Sequence, residues 1–195
     1  HERLVGSEMC IRDRARSKTG EAENTFAVSI NVEDEKERKR LVQNADIVIS
    51  MLPPALHFLI AKDCVEFGKH LLTASYVDEN IKTLEKEIAD KKLLFLCEMG
   101  LDPGIDHMSA MQVIDKIKSR GGTMISFDSF TGGLISPDTD LENPWRYKFT
   151  WNPRNVVMAG QGTAKFLEQG QHKYIPYQQL FKRITPVTVP GYGEY

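Results

Sequence analysis

Residues 97–110, CEMGLDPGIDHMSA, set a carboxylate, Asp102, between Gly100 and Gly104, just after an apolar run and just before a helical pattern. One reading is structural. Asp is a favoured N-cap, Pro103 would occupy the first helical position, and Asp106 would lie in the first turn, where the helix dipole favours negative charge. The other reading is chemical: a fixed negative charge held at the mouth of a strand. Ser75 and Tyr76, in HLLTASY, follow a second expected strand. A carboxylate, a hydroxyl and a phenol converging on one sheet edge would suit an amine-bearing substrate, and Asp102 can serve both roles.

Other candidate groups read as structural. Asp102, Asp106 and His107 crowd one first turn, a spacing that gives at best two facing ligands, so no metal is expected. His57 falls on a mostly apolar helix and reads as partly buried packing. Tyr147, Phe149, Trp145 and Trp151 read as core or domain-interface packing. GQGTAK (160–165) has two of the three glycines of a dinucleotide loop, but no strand precedes it. No Ser/His/Asp arrangement or nucleophilic Cys stands out.

The elements that would position these groups follow from periodicity. FAVSINV (26–32) alternates as a strand, and EDEKERKRLVQNA (33–45) favours a solvated helix. ADIVISML (45–52) is a continuous apolar run, as in a strand buried on both faces. Pro53-Pro54 stop it, and 55–69 is helical. HLLTASY (70–76), an amphipathic helix over 77–91, a strand over 92–98 and a helix over 103–122, closed by Gly121-Gly122, complete the set. The order β-α-β-α-β-α-β-α with short connections predicts an α/β doubly wound parallel sheet. Ligands in such sheets bind beyond the strand C-termini. The residues there are Asn31-Val32, Ser50-Met51-Leu52-Pro53, Thr73 to Tyr76, and Glu98 to Pro103. After Gly122 the pattern changes. Alternating segments at 123–137 and 145–151 predict an antiparallel sheet, a helical pattern follows over 152–170, and KYIPYQQLFKR (173–183) comes after it.

The 195 residues carry a formal charge of −2 and 41% apolar residues, an ordinary globular composition that argues against nucleic-acid binding. No apolar run approaches the roughly 20 residues needed to span a bilayer, so no membrane partner is expected. Cys10, Cys64 and Cys97 form neither a disulfide framework nor a zinc pattern, which suggests a reducing cytoplasm. HERLVGSEMCIRDR (1–14) has no clean period and reads as a non-native tail. The strand–glycine-loop start of a dinucleotide fold is not found, so the first strands are expected to be missing.

DIVISMLPPALH, LLTASYVDENI, CEMGLDPGIDHMSA, SFTGGLISPDTDLENPWRYKFTWNPRNVV and TPVTVPGYGEY, in this order, resemble the saccharopine dehydrogenase family of the NADP-dependent, glutamate-forming type. The resemblance covers roughly residues 25–195. It implies the C-terminal part of a Rossmann-type parallel sheet (15–105), then the start of an α+β substrate domain on a mixed or antiparallel sheet (106–195). It implies an oxidoreductase of lysine metabolism that joins 2-aminoadipate 6-semialdehyde to L-glutamate through an imine reduced to saccharopine, or the reverse. The cofactor is NADP(H), with NAD left open, and a homodimer is also left open. Asp102 and Tyr76 would be catalytic. Ser50, Met51, Leu52, Ser75, Leu101, Asp102, Pro103 and Thr150 would contact cofactor, with Asn31 and Val32 near the adenine. Ser75, Tyr76, Asp102 and Thr150 would contact substrate. Thr150 stands where the fungal enzymes usually carry Ser, and Thr131 where they carry Cys, which puts a thiol role there in doubt. Two competing expectations remain: an imine reductase of the carboxynorspermidine or homospermidine synthase type, and a non-catalytic Rossmann-like module.

Overall fold

The computed structural model describes residues 16–17, 24–140, 142–150, 153–182 and 184–194. The tail at 1–14 and Trp151 lie outside them. The chain divides into two compact units, His1–Ile125 and Ser126–Tyr195.

In the first unit the order is α1 (Glu35–Gln43), β1 (Ile47–Ser50), α2 (Pro54–Phe67), β2 (His70–Thr73), α3 (Glu79–Lys82), α4 (Glu85–Asp90), β3 (Phe95–Leu96) and α5 (Ile105–Ser119). The strands form a parallel sheet in the order β1-β2-β3, with Ser50 opposite Thr73 and Leu72 opposite Leu96. Local chemistry sets the helix ends. Asp34 caps α1 by accepting from the Lys36 and Glu37 amides. Pro54 starts α2, and Gly68, at φ 66°, ends it in the left-handed conformation that glycine adopts without strain. Gly121, at φ 77°, follows α5 in the same way, as its sequence predicts.

The core lies between the sheet and its helices. Val42, Ile60, Ala61, Cys64, Leu71, Ile81 and Cys97 form one buried cluster. Full burial of a side chain such as Leu71 contributes about 1.5–3 kcal/mol. A buried ion pair joins two helices across this core. Arg38 Nε on α1 lies 2.5 Å from Asp63 Oδ2 on α2, and Arg38 Nη1 donates to the Val32 carbonyl at 2.9 Å.

Several expectations change. Residues 26–32 form no strand, because no described segment supplies a ladder partner, and Phe26 is exposed. β1 is not buried on both faces. Val48 packs against the core and Ser50 is buried, while Ile47 and Ile49 are exposed, as are Leu94 and Leu96 on the same sheet. The helix expected over 77–91 breaks in two, where the Thr83 hydroxyl donates to the Asn80 carbonyl at 2.6 Å. The strand expected over 92–98 shrinks to two residues, bounded by Lys92 and Glu98, both at positive φ.

The second unit holds α6 (Pro153–Ala159), a hairpin of β4 (Ala164–Glu168) and β5 (Gln171–Ile175), α7 (Tyr177–Leu180), and a short antiparallel pair, β6 (Thr188–Val189) with β7 (Gly193–Glu194). The expected helix over 152–170 is therefore only its first part. Gln169 and Gly170, both at positive φ, make the two-residue turn whose twist suits a hairpin. The expected long strands at 123–137 and 145–151 reduce to one bridge, Leu134 with Tyr147, flanked by Ile135 N donating to Arg146 O at 2.9 Å. Tyr147 and Phe149 meet edge to face at 5.4 Å, but Trp145 is 78% exposed, so it is not core packing. Residues 160–163 connect α6 to β4 as a turn and a bend, without the strand–turn–helix setting of a phosphate loop.

Candidate functional site

Parallel strands in register end at one edge, and the chain beyond those ends carries the polar residues. The β2 exit is tied to the β3 exit by main-chain bonds: Met99 N donates to Thr73 O at 3.2 Å, and Glu98 N to Ser75 O at 3.0 Å. Glu98 Oε1 accepts from the Val77 amide at 3.3 Å. Ser75-Tyr76 are thereby held beside the loop 98–104.

That loop closes on itself. Gly100 N donates to Pro103 O at 2.9 Å, Ile105 N to Gly100 O at 3.0 Å, and Asp106 N to Leu101 O at 3.1 Å. The closure explains Gly104. At φ 151°, an added Cβ would run into the backbone of Gly100 and Glu98. The Asp102–Pro103 peptide is cis.

The capping expected of Asp102 falls to another residue. The helix starts at Ile105 with Gly104 as N-cap, and Asp106 Oδ1 accepts from the Gly104 amide at 2.9 Å. Asp102 is left exposed at the loop tip, where Oδ1 accepts from the Tyr76 hydroxyl at 3.2 Å. Burial first, then the charge and hydrogen bond of Asp102, and then Asp106 and Glu98 raise the Tyr76 phenol above its ordinary value. It therefore stays a proton donor at neutral pH.

Asp106 also accepts from His107 Nδ1 at 2.7 Å. That bond and the Asp106 charge raise the His107 imidazole. Burial alone would raise the Asp106 carboxyl, but hydrogen bonds from His107 and the Gly104 amide outweigh it and lower the carboxyl. Donor atoms of Asp102, Asp106 and His107 all lie within 4.8 Å of one another, closer than the sequence spacing suggests. His107 Nδ1 is bonded to Asp106 Oδ1 at the start of α5, with Asp102 beside them, and the contact becomes an ion pair when the imidazole is protonated.

Ser75 turns to α2. Its Oγ lies 2.8 Å from His57 Nε2, while His57 Nδ1 lies 2.8 Å from Ser50 Oγ at the end of β1. Thr73 Oγ1 is 3.3 Å from the same Nε2 and accepts the Ser75 amide at 3.2 Å. His57, only 2% exposed, is thus fully buried and wired into three hydroxyls, not partly buried packing. The signal lay in the sequence. His57, Ile60, Ala61 and Cys64 share one helical stripe, and a buried polar group needs partners. Burial lowers the His57 pKa, against the pull of Asp78, so the ring is neutral.

The remaining candidates are spread more widely. Met51 (77% exposed) and Leu101 (72%) present apolar surface, as does the exposed ring of Tyr76, and Pro103 is buried inside the loop. Leu52 packs against the core. Asn31 makes a turn, accepting from the Glu33 amide through Oδ1 at 3.0 Å, and Val32 packs against the core. Thr150 and Thr131 are exposed in the second unit.

The comparisons with known proteins extend over both units. The saccharopine dehydrogenase NADP binding domain matches residues 2–96, and the saccharopine dehydrogenase C-terminal domain matches residues 100–195. The chain belongs to the saccharopine dehydrogenase family. Alpha-aminoadipic semialdehyde synthase of Arabidopsis thaliana is 40% identical over 96% of this chain and 18% of its own length. Saccharopine dehydrogenase [NADP(+), L-glutamate-forming] of Schizosaccharomyces pombe is 36% identical over 87% of this chain and 38% of its own. The solved apo saccharopine dehydrogenase (L-Glu forming) of Saccharomyces cerevisiae superposes with a TM-score of 0.77 at 32% identity, covering 93% of this chain and 41% of that one. The chain thus spans about a fifth to two fifths of these saccharopine dehydrogenase relatives. No described helix is long and apolar enough to cross a membrane. Met51, after β1, and Leu101, in the loop 98–104, are exposed apolar residues at the strand C-terminal edge, and the Tyr76 phenol and the Asp102 carboxylate meet at that same edge, a lining compatible with an NADP(H) site. The glycine loop for the pyrophosphate is not among them.

Proposed function

We propose that the full-length protein is an NADP(H)-dependent oxidoreductase that interconverts saccharopine with L-glutamate and 2-aminoadipate 6-semialdehyde through an imine. The observation that carries this reading is the Tyr76 hydroxyl 3.2 Å from Asp102 Oδ1 at the C-terminal edge of the parallel sheet. The cofactor supplies the hydride, and the protein supplies orientation and charge.

An iminium is cationic, so the Asp102 carboxylate stabilises the charged species next to the carbon being reduced. Tyr76 donates the proton that lets the carbinolamine lose water as the imine forms, and takes it back in the reverse direction. Burial, then Asp102, Asp106 and Glu98, hold the phenol above its ordinary value, so it stays protonated until a substrate group draws on it. Ser50, Met51, Leu52, Leu101, Asp102 and Pro103 are the residues that would hold the cofactor, with Asn31 and Val32 toward its adenine. Ser75 contributes a hydroxyl toward cofactor and substrate. NADP(H) is preferred to NAD(H) on the relatives' names. Two free buried thiols, Cys64 and Cys97, support a reducing compartment, the cytoplasm in this reading. A further relative, alpha-aminoadipic semialdehyde synthase of Rattus norvegicus, 40% identical over 87% of this chain, is mitochondrial by its name.

Asp102→Ala in the full-length protein is expected to lower kcat on the order of a hundredfold or more with an unchanged thermal midpoint. Activity and melting temperature falling together would reduce Asp102 to a structural group. NADPH oxidation with L-glutamate set against a diamine separates this reading from a polyamine-forming imine reductase.

A further inference from the structure

His57 lies between α2 and the strand ends with hydroxyls on both ring nitrogens. A neutral imidazole has one N–H and one bare nitrogen. One ring nitrogen therefore donates and the other accepts; Ser50 is the partner at Nδ1, and at Nε2 Ser75, at 2.8 Å, is nearer than Thr73 Oγ1, at 3.3 Å. With the proton on Nδ1, Ser75 turns its own proton inward to Nε2 and offers only lone pairs to its surroundings. With the proton on Nε2, Ser75 keeps its hydroxyl proton for an outward bond. The Ser75 amide, bonded to Thr73 Oγ1 at 3.2 Å, fixes the backbone beneath this choice. We propose that His57 is a positioning residue: through Nε2 it sets the direction and donor character of the Ser75 hydroxyl toward substrate, and through Nδ1 it links that setting to Ser50 on the neighbouring strand end. The inference rests on Ser75 as a substrate contact, as read above.

The two ring nitrogens can be tested separately in the full-length protein. The amide of Asn reaches about as far as Nδ1, and that of Gln about as far as Nε2. His57→Asn therefore keeps a partner for Ser50 and releases Ser75, whereas His57→Gln keeps a partner for Ser75. His57→Asn is expected to lower kcat/KM for saccharopine about tenfold, through KM with kcat little changed, and His57→Gln to stay within about threefold of the parent. Ser75→Ala should match His57→Asn, and the double variant should be no worse than either. Equal losses in the Asn and Gln variants, including failure of both to fold, would mark His57 as packing and overturn the inference. If Ser75→Ala is impaired and His57→Asn is not, the positioning role falls while Ser75 stands. If Ser75→Ala is silent, the reading of Ser75 as a substrate contact is itself wrong, and the positioning role goes with it.

Discussion

The two units differ in how their strands are covered. In the first, α2 follows β1 and folds back onto the sheet, where its apolar stripe meets Leu71 and its neighbours. In the second, β4 and β5 make a hairpin, β6 and β7 a shorter one, and no described side chain is buried. Isolated two-stranded ribbons are marginal in water without apolar cover. The difference shows what each architecture demands. A βα unit finds its cover in the next stretch of chain. An antiparallel sheet needs partners that the described residues of the second unit do not provide. The residues read as catalytic stand on the covered unit, where a side chain can be held in place.

The sharpest way to break this contrast is through the ion pair under the first sheet. Asp63→Ala leaves the Arg38 guanidinium buried and unpaired, and is expected to cost about 3–5 kcal/mol in denaturant unfolding. Replacing both partners by apolar side chains of similar volume should cost much less. A small loss from Asp63→Ala would mean that the first unit is not the rigid one. Next in size is Gly104→Ala, expected to cost about 1–3 kcal/mol because φ 151° is hostile to a Cβ and the space is already filled by backbone. The same variant should lower turnover beyond its effect on stability, since the loop aims Asp102. A third measurement follows stability against pH. The His57 pKa is lowered on folding, so the unfolded chain binds the proton more readily. Stability is then complete above the ordinary imidazole value of about 6.5 and is lost as pH falls through it toward the folded value. His57→Gln should flatten that slope in a series of thermal melts. The smallest effect belongs to the second unit. Gly170→Ala, in the turn of the β4-β5 hairpin, is expected to cost about 1 kcal/mol locally. Hydrogen exchange should detect it as faster exchange at β4 and β5, with α2 and β2 unmoved.

The same contrast explains what the sequence made legible. Periodicity located β1, β2, α1, α2 and α5, because each buries or caps residues that are neighbours in the chain. It overextended β3 and misread 152–170, where the Gln169-Gly170 turn outweighed the helical pattern of the preceding residues. Alternation marks 26–32 as a strand, although a strand exists only with a ladder partner. Among the candidate residues, Tyr76 and Asp102 were found by the rule that sheet ligands lie beyond strand C-termini, and they meet at hydrogen-bonding distance. The capping role went to Asp106 because the closed loop delays the helix to Ile105, a main-chain effect that residue type alone does not announce. His57 was undervalued for the opposite reason. Its apolar neighbours made it resemble filler, while its partners, Ser50, Thr73 and Ser75, arrive from two different strands.

The loop between Gly100 and Gly104 is fastened by its own main-chain amides and carbonyls, so the direction of Asp102 depends little on which side chains clothe the helix behind it. The side chains of Met108, Met111 and Val113, on exposed positions of α5, take no part in that main-chain fastening. An engineer seeking a different amine could leave this small knot untouched and reshape the walls around it.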